Sequence, residues 1–478
     1  MRVCMKDNKI LPVMALILSG LYTVKSHASD IFDTEADVPS SQAAPVYGNS
    51  ICEFGPLPST LALNDALERS LCNNPKTAQS WAEIKAESAA VGTAKGAYLP
   101  TFSLSGREIS ERSETNVAGH PEFGSVNSSP NYSADFSLNW VLYDFGARSA
   151  ALHKAKALLV AAEASHMETL QSVMIATAKD CYAAQAAAGN LAAAADMERI
   201  ASKSVEVVVT KEGHGAASVG DELQARTAWL QAKTEKEKAE NTLENDLGVI
   251  AIDMGLRPDS YINLANVQEG LKPDFRFKES VSALIDEAIK IHPALLAAQA
   301  QLQAAEAEVD QTRAEGMPTL SLIGKASRDN QKVSAGIGQP YLDSSHNDRY
   351  IGIQVSIPLF EGFTREYKIQ EGLAQAEQKE GAVSEVRHNV ELDVWKSFQS
   401  LKANTNNLPL IESLFDNTRK SYSVAEYRYE NGVGNIIELL NAQKSLADAE
   451  KQQIQALTDW RYSRLELAGK LGVLGLNN

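Results

Sequence analysis

Apolar and polar residues alternate along residues 132–148, YSADFSLNWVLYDFGAR. Tyr132, Ala134, Phe136, Leu138, Trp140 and Leu142 share one parity. Ser133, Asp135, Ser137, Asn139 and Tyr143 share the other, with Val141 the single aliphatic among them. A period of two over this length predicts a β-strand with one apolar and one wet face. The strand is predicted to stop at Asp144-Phe145-Gly146, where an alanine-rich helical pattern takes over. Residues 350–365, YIGIQVSIPLFEGFTR, repeat the device with Ile351, Ile353, Val355, Ile357 and Leu359 on one face. Strands of this kind suit a sheet with lipid on one side and water on the other. On that reading Phe136, Leu138, Trp140, Ile353, Val355 and Ile357 face lipid.

The two stretches stand 217 residues apart, Arg148 against Arg365. The register recurs along the chain. Asn74-Pro75 matches His292-Pro293, Pro100-Thr101-Phe102-Ser103-Leu104 matches Pro318-Thr319-Leu320-Ser321-Leu322, and Leu223-Gln224-Ala225 matches Leu440-Asn441-Ala442. A near-constant offset predicts an internal duplication, two structural repeats in tandem. Each repeat reads helix, corner, helix, strand, polar loop, strand, long helix, turn, helix. The corners fall at the two Xaa-Pro pairs, because the residue before proline disfavours helix. Strands are predicted over 101–107, 132–143, 319–327 and 350–359, with loops over 108–131 and 328–349. Helices follow from Ala147 to about Glu212 and over 364–430, the second with a break or kink at Pro409. At about 1.5 Å per residue each spans roughly 100 Å. Both end in glycine-bearing turns, Gly213-His214-Gly215 and Asn431-Gly432-Val433-Gly434. In the last helix Leu439, Ala442, Leu446, Ala449, Gln453, Ala456, Trp460, Ser463 and Leu467 follow a mostly apolar three-to-four spacing, a coiled-coil seam.

Each repeat supplies two strands. Four strands cannot close a barrel, and an open edge in lipid leaves backbone groups unpaired. Several chains must therefore share one barrel, and three would give twelve strands.

Residues 1–28 carry Arg2, Lys6 and Lys9, an apolar run from Ile10 to Val24, and Ser26-His27-Ala28. The pattern is that of a secretory signal peptide. A membrane anchor is the competing reading, made short by Ser19, Gly20 and Lys25. The division that follows is a flexible N-terminal arm over 29–58, a first repeat over 59–256, a connection over 257–280, a second repeat over 281–472 and a tail over 473–478. In an oxidising compartment Cys52 and Cys72 would pair; two unpaired thiols is the alternative. Cys181 is left over on a helix as a small buried residue. The formal charge of −16 disfavours nucleic acid as a partner. Neither cysteines nor the eight histidines have metal-ligand spacing. No P-loop, HExxH or GxSxG motif is present, so no metal, cofactor or enzymatic chemistry is expected.

The order of elements over residues 60–472 resembles the TolC-like outer-membrane efflux and secretion channels. Leu142-Tyr143-Asp144-Phe145-Gly146, Leu359-Phe360-Glu361-Gly362, and Tyr429-Glu430-Asn431-Gly432 ahead of Glu438-Leu439-Leu440-Asn441-Ala442 carry the resemblance. It implies a mainly α fold with a small β part: long antiparallel helical hairpins forming an α-barrel tunnel, plus four strands given to a trimeric, twelve-stranded transmembrane barrel. It implies a homotrimer in the outer membrane of a Gram-negative cell, with a tunnel across the periplasm. A periplasmic adaptor and an inner-membrane ABC or other transporter would complete a passive export duct. Cys52 and Leu71-Cys72-Asn73-Asn74-Pro75 are similar to the branch that exports toxin-like proteins by type I secretion. A small-molecule efflux duct, and a secreted structural coiled-coil protein, stay open as alternatives.

The resemblance also implies a gate at the helical turns. Asp221 and Tyr429 match a latch, and Glu438 matches the first acid of a lumen constriction. Asn441 stands where the second acid would be, and Gly434 where a latch arginine would be. Asp221 reads equally as a helix-start acid, and Glu438 as a solvated charge.

Overall fold

The structure is a computed structural model that describes residues 30–48, 52–264, 280–334, 336 and 341–474. The expected signal peptide, residues 265–279 of the connection and residues 475–478 of the tail lie outside them. Among the described residues, eight helices of eleven residues or more and four strands of eleven residues or more make up the two repeats. The first repeat holds α1 (Leu63–Asn73), α2 (Pro75–Gly96), β1 (Thr101–Thr115), β2 (Ser125–Tyr143), α3 (Ala147–Gly213) and α4 (Val219–Asp253). The second holds α5 (Val281–Ile291), α6 (Pro293–Ala314), β3 (Thr319–Asp329), β4 (His346–Ser356), α7 (Thr364–Glu430) and α8 (Ile436–Lys470). Corresponding helices have equal lengths: 11, 22, 67 and 35 residues in each repeat.

The two proline corners form as the sequence dictates. Asn74 and His292 are extended, and each side chain caps the helix that proline begins. The strands form one antiparallel sheet in the order β1–β2–β3–β4. Its strands run on into helices that make one layer. Beside the sheet the order across this layer is α2–α3–α6–α7, and at the far end it is α4–α3–α8–α7. Helix α3 is therefore internal along its whole length. Helix α7 forms one edge, and α2 with α4 forms the other.

Four expectations are corrected. First, the polar stretch 108–131 is mostly strand: β1 and β2 pair from Thr101↔Asn139 out to Thr115↔Ser125. Backbone pairing carries the hairpin where alternation has faded. Second, the strand expected over 350–359 ends at Ser356, which puts Ile357 just past it. Pro358 has no N–H to offer the ladder. Third, of the break or kink expected at Pro409, the break does not occur: α7 is one continuous helix through it. Leu408 packs against the core cluster there, and buried Thr405 accepts the Trp460 indole N–H at 3.1 Å.

Fourth, residues 30–48, expected as part of a flexible arm, lie as a strap on α2 and α3. Ala43 and Val46 join the cluster of Leu67, Leu71, Leu170, Val173 and Met174. The strap's carbonyls accept hydrogen bonds from the helices: Pro39 from the Trp81 indole at 2.9 Å, and Thr34 from the Ser88 hydroxyl at 2.6 Å. His166, fully buried, bridges Ser80 at 2.7 Å and the Gln42 carbonyl at 2.9 Å. Burial lowers its pKa, so the ring is neutral at pH 7. Cys52 and Cys72 are joined as a disulfide where the strap's continuation meets α1. Cys181 is buried, and burial pushes its thiol up to about 12, which leaves it inert.

Candidate functional site

The sheet separates two chemistries by register. Opposed residues share a face, so Phe102, Leu104, Phe136, Leu138, Trp140, Leu322, Ile353 and Val355 fall on one side. Ser103, Ser137, Asp135, Lys325 and Gln354 fall on the other. The polar side is internally bonded: Ser103 to Ser137 at 2.6 Å, and Lys325 to Asp135 at 3.2 Å. Nothing among the described residues covers the apolar side. Phe136 is 44% exposed and Ile353 69%. Of the six residues expected on that face, five sit in strands with matching register. Ile357 keeps the parity from just beyond β4.

The joint between strand and helix is built the same way twice. Phe145 and Gly146 both have positive φ, 50° and 100°, and so do Gly362 and Phe363, 62° and 60°. The glycine changes place between the repeats, yet the two-residue left-handed step stays. A phenylalanine held there is strained. An acid–arginine pair braces each step. Asp144 accepts from Arg148 Nε at 2.7 Å, and Arg148 Nη1 donates to the Val141 carbonyl at 2.7 Å. Glu361 takes both Nε and Nη2 of Arg365 at 2.6 and 2.8 Å. These pairs fix the angle at which the sheet stands on the long helices. Tyr98, Tyr143, Phe145, Phe360 and Phe363 cluster exposed at this level, as aromatic residues do at a membrane interface.

At the far end the two helical turns lie side by side. Asp221 closes a capping box at the start of α4: it takes the Ser218 N–H at 2.9 Å while its own N–H donates to the Ser218 hydroxyl. Tyr429 is buried among Val208, Ala225, Ile436 and Leu439. Its phenol has no hydrogen-bond partner among the described residues. Burial raises its pKa, and the charge of Asp221 adds to that. Lys211 bonds the Tyr429 carbonyl and lies over its ring, 4.3 Å from the centroid. The pair expected as a latch is thus close in space but makes no hydrogen bond in one chain.

Glu438 and Asn441 diverge. The Glu438 carboxylate is 3.5 Å from Arg428, while its N–H is capped by Asn435 at 2.7 Å. Asn441 lines a groove of about 1020 Å³ between α4 and α8, floored by α3, with Leu223, Gln224, Gln231, Ile437 and Lys444. Arg428 is the residue that sequence reasoning missed. A Cβ on Gly434 would come within 3.1 Å of Arg428 Cβ and the Tyr429 nitrogen. The turn therefore holds Gly434 by close approach, and Arg428 presents the guanidinium at the tip. The only sequence signal was its place in the last turn of α7.

Among the described residues, no group of three or more His, Cys, Asp or Glu is placed to hold a metal ion. No helix among them is long and apolar enough to cross a membrane. A two-faced sheet with open edges, mounted on helices roughly 100 Å long, defines one sector of an outer-membrane channel. The chain belongs to the outer membrane efflux protein family, whose model matches residues 66–248 and 284–473, one segment for each repeat. It is 32% identical to protein CyaE of Bordetella pertussis over 416 residues, which is 87% of this chain and 85% of that protein. It is 22% identical to the outer membrane protein TolC of Escherichia coli over 437 residues, 89% of this chain and 85% of that one. The crystal structure of the Campylobacter jejuni CmeC outer membrane channel superposes with a TM-score of 0.74 at 15% identity, covering 90% of this chain and 92% of that one. The protein is an outer-membrane export duct with a periplasmic tunnel.

Proposed function

We infer that three copies close one twelve-stranded barrel and one tunnel, with the apolar sheet face against lipid. The observation that carries this is the pair of free edges, β1 and β4 in the sheet and α2/α4 and α7 in the helical layer. The duplication supplies the closing register. Within the chain Asn139 pairs with Ile323. Their counterparts in the other repeat are Ser356 and Ser105, so Ser356 of one protomer stands opposite Ser105 of the next. Cysteines at both positions should give disulfide-linked dimers and trimers on non-reducing gels. A monomer band alone after oxidation sinks the closure.

The duct works passively, as the exit of a tripartite system. An adaptor docks into the groove between α4 and α8, and a transporter in the inner membrane drives export. The gate is the ring of hairpin tips around Asp221, Tyr429 and Glu438. A buried phenol without a partner among the described residues is free to donate to a neighbouring protomer's tip when the tunnel is shut. The cargo is protein, as in the type I branch that the Cys52 and Leu71–Pro75 stretch resembles. Deleting the gene should trap an exported protein in the cell and leave sensitivity to small toxic compounds unchanged. Hypersensitivity with normal protein export would favour small-molecule efflux instead.

A further inference from the structure

Three arginines have the parity of the apolar face, Arg112 on β1, Arg328 on β3 and Arg349 on β4, and the last two stand on adjacent strands of this chain. Arg328 on β3 and Arg349 on β4 have the parity of Leu322, Ile353 and Val355. Arg328 opposes Asn347 and Arg349 opposes Ala326, which makes the two arginines diagonal neighbours on adjacent strands. At about 7–8 Å such a diagonal is within reach of long side chains. Both are exposed, and neither side chain has a hydrogen bond or ion pair among the described residues. Asp329 and Asp348 have the parity of Lys325 and Asp135 and lie on the polar face. Glu108 and Glu114 share the apolar side, both on β1, two strands from Arg328 within the chain. In the closed barrel the β1 of the next protomer lies beside β4, where the Ser356–Ser105 register sets Arg112 opposite Arg349 and Glu114 on a diagonal.

Their height follows from the strands. β3 and β4 join the helices at one end, and Arg328 and Arg349 lie towards the other. Leu320 to Arg328 is eight residues, about 27 Å along a strand at about 3.4 Å each. Strand tilt reduces that to about the thickness of an apolar band. The arginines therefore stand at the outer rim of the lipid-facing surface, where headgroups begin. The first repeat has Ser110 and Tyr132 at the corresponding places. A guanidinium pair here matches a phosphate, which arginine grips with two parallel hydrogen bonds.

We propose that Arg328 and Arg349 form a clamp for the phosphate of a glycolipid in the outer leaflet, one clamp for each protomer. The clamp rests on the barrel reading above. It orients the barrel between protomers by holding a lipid against the second repeat alone. The occupant is a phosphorylated lipid rather than free phosphate, because the apolar band continues directly below the clamp and takes the acyl chains.

The test uses the full-length trimer in detergent, with deep-rough lipopolysaccharide, the same lipid after enzymatic dephosphorylation, and inorganic phosphate as probes. The parent trimer should be stabilised against heat by the phosphorylated lipid and at least tenfold less sensitive to the dephosphorylated form. R328Q with R349Q should lose that tenfold preference. Equal response of the parent to both lipids overturns the clamp without any variant. An unchanged preference in the double variant also overturns it. Stabilisation by inorganic phosphate alone at equal phosphate concentration overturns the lipid as occupant. Failure of the parent to form trimers or to conduct in planar bilayers would instead be a failure of the barrel.

Discussion

Helices α3 and α7 are counterparts, each 67 residues long and each launched from the same left-handed step. Their surroundings differ. Helix α3 buries alanine after alanine along its length, Ala178, Ala184 and Ala187 among them, against helices on both sides. Helix α7 leaves Leu392, Trp395, Leu410, Val424 and Tyr427 exposed. The contrast is sharpest at one pair of equivalent positions. Ala178 is fully buried against the strap and α1, whereas Trp395, at the matching place in α7, is 47% exposed. Duplication fixed the lengths, and position in the layer fixed the composition. A helix flanked within its own chain needs small residues for close approach. A helix at the rim keeps large apolar side chains for a neighbouring protomer.

The largest effect should come from exchanging these two roles. Ala178→Trp forces a bulky ring into a packed site, and overpacking of that size costs about 3 kcal/mol or more. The folded yield and the midpoint of urea unfolding should both fall. Trp395→Ala should change the stability of the protomer by no more than about 1 kcal/mol. It should, however, lower the temperature at which trimers dissociate in SDS. Normal assembly of Ala178→Trp would break the distinction between internal and rim helix.

The strap sharpens the same comparison, because only the first repeat is clamped. Cys72 in α1 corresponds to Lys290 in α5. The disulfide closes a loop of 20 residues. Cross-links of that span contribute about 3 kcal/mol through the unfolded chain. Cys52→Ser with Cys72→Ser should lower the unfolding midpoint accordingly. Protease cleavage within residues 30–58 should increase, while the second repeat stays resistant. Equal protection of the strap in parent and variant would show that the carbonyl contacts suffice without the clamp.

Much of this was legible beforehand for physical reasons. The duplication, the proline corners and the two-faced strands all leave periodic or steric marks on side chains, as at Asn74-Pro75 and Phe136–Trp140. The strap left none, because it is held largely through its backbone carbonyls, at Phe32, Thr34, Pro39 and Gln42. A carbonyl acceptor is the same at every residue. The outer part of the β1–β2 hairpin was hidden for a related reason. Its residues are polar on both faces, so the ladder itself carries it. At the tips, Gly434 read as a missing arginine, but its role is the close approach that brings Arg428 forward. That contact joins residues across a turn and has no period.

Electrostatics divide the repeats as well. In the first, Asp253 faces Asp180 across α4 and α3. Burial, then the charge of Asp180, pushes the Asp253 carboxyl up to about 6 from an ordinary 3.8. The matching positions in the second repeat are Ser397 and Lys470, and Lys470 is paired with Asp393 at 2.6 Å. A carboxyl with a raised folded pKa holds its proton better folded than unfolded. The stability that depends on this group is therefore lost as pH rises from about 4 to about 6, and its contribution is flat above. Discounted for solvent screening, the change should be about 1 kcal/mol. Urea unfolding at pH 4.5 and 7.5 measures it, and Asp253→Asn should flatten the difference. A pH dependence that is the same in the parent and in Asp253→Asn would remove the acid pair from the comparison.

The smallest change in stability is expected at the tips, where the readout is conduction. Asp221 already spends its carboxylate on the Ser218 N–H, so Asp221→Ala should cost about 1 kcal/mol by uncapping α4. Any rise in conductance from that variant would mix fraying with unlatching. Tyr429→Phe is the cleaner probe. It removes one oxygen that has no partner among the described residues and leaves the ring packed on Val208, Ile436 and Leu439. A buried hydroxyl that is also alone in the trimer costs about 1 kcal/mol or more, so its loss should then stabilise the protein and leave the closed channel unchanged. A hydroxyl that bonds a neighbouring tip should show the opposite: unchanged protomer stability and a higher conductance in planar bilayers. The second outcome is the one expected, because a closed ring brings three such phenols to the tips of adjacent protomers. Parent-like conductance with a raised unfolding midpoint would leave Tyr429 as a packing residue and put the gate elsewhere on the turns.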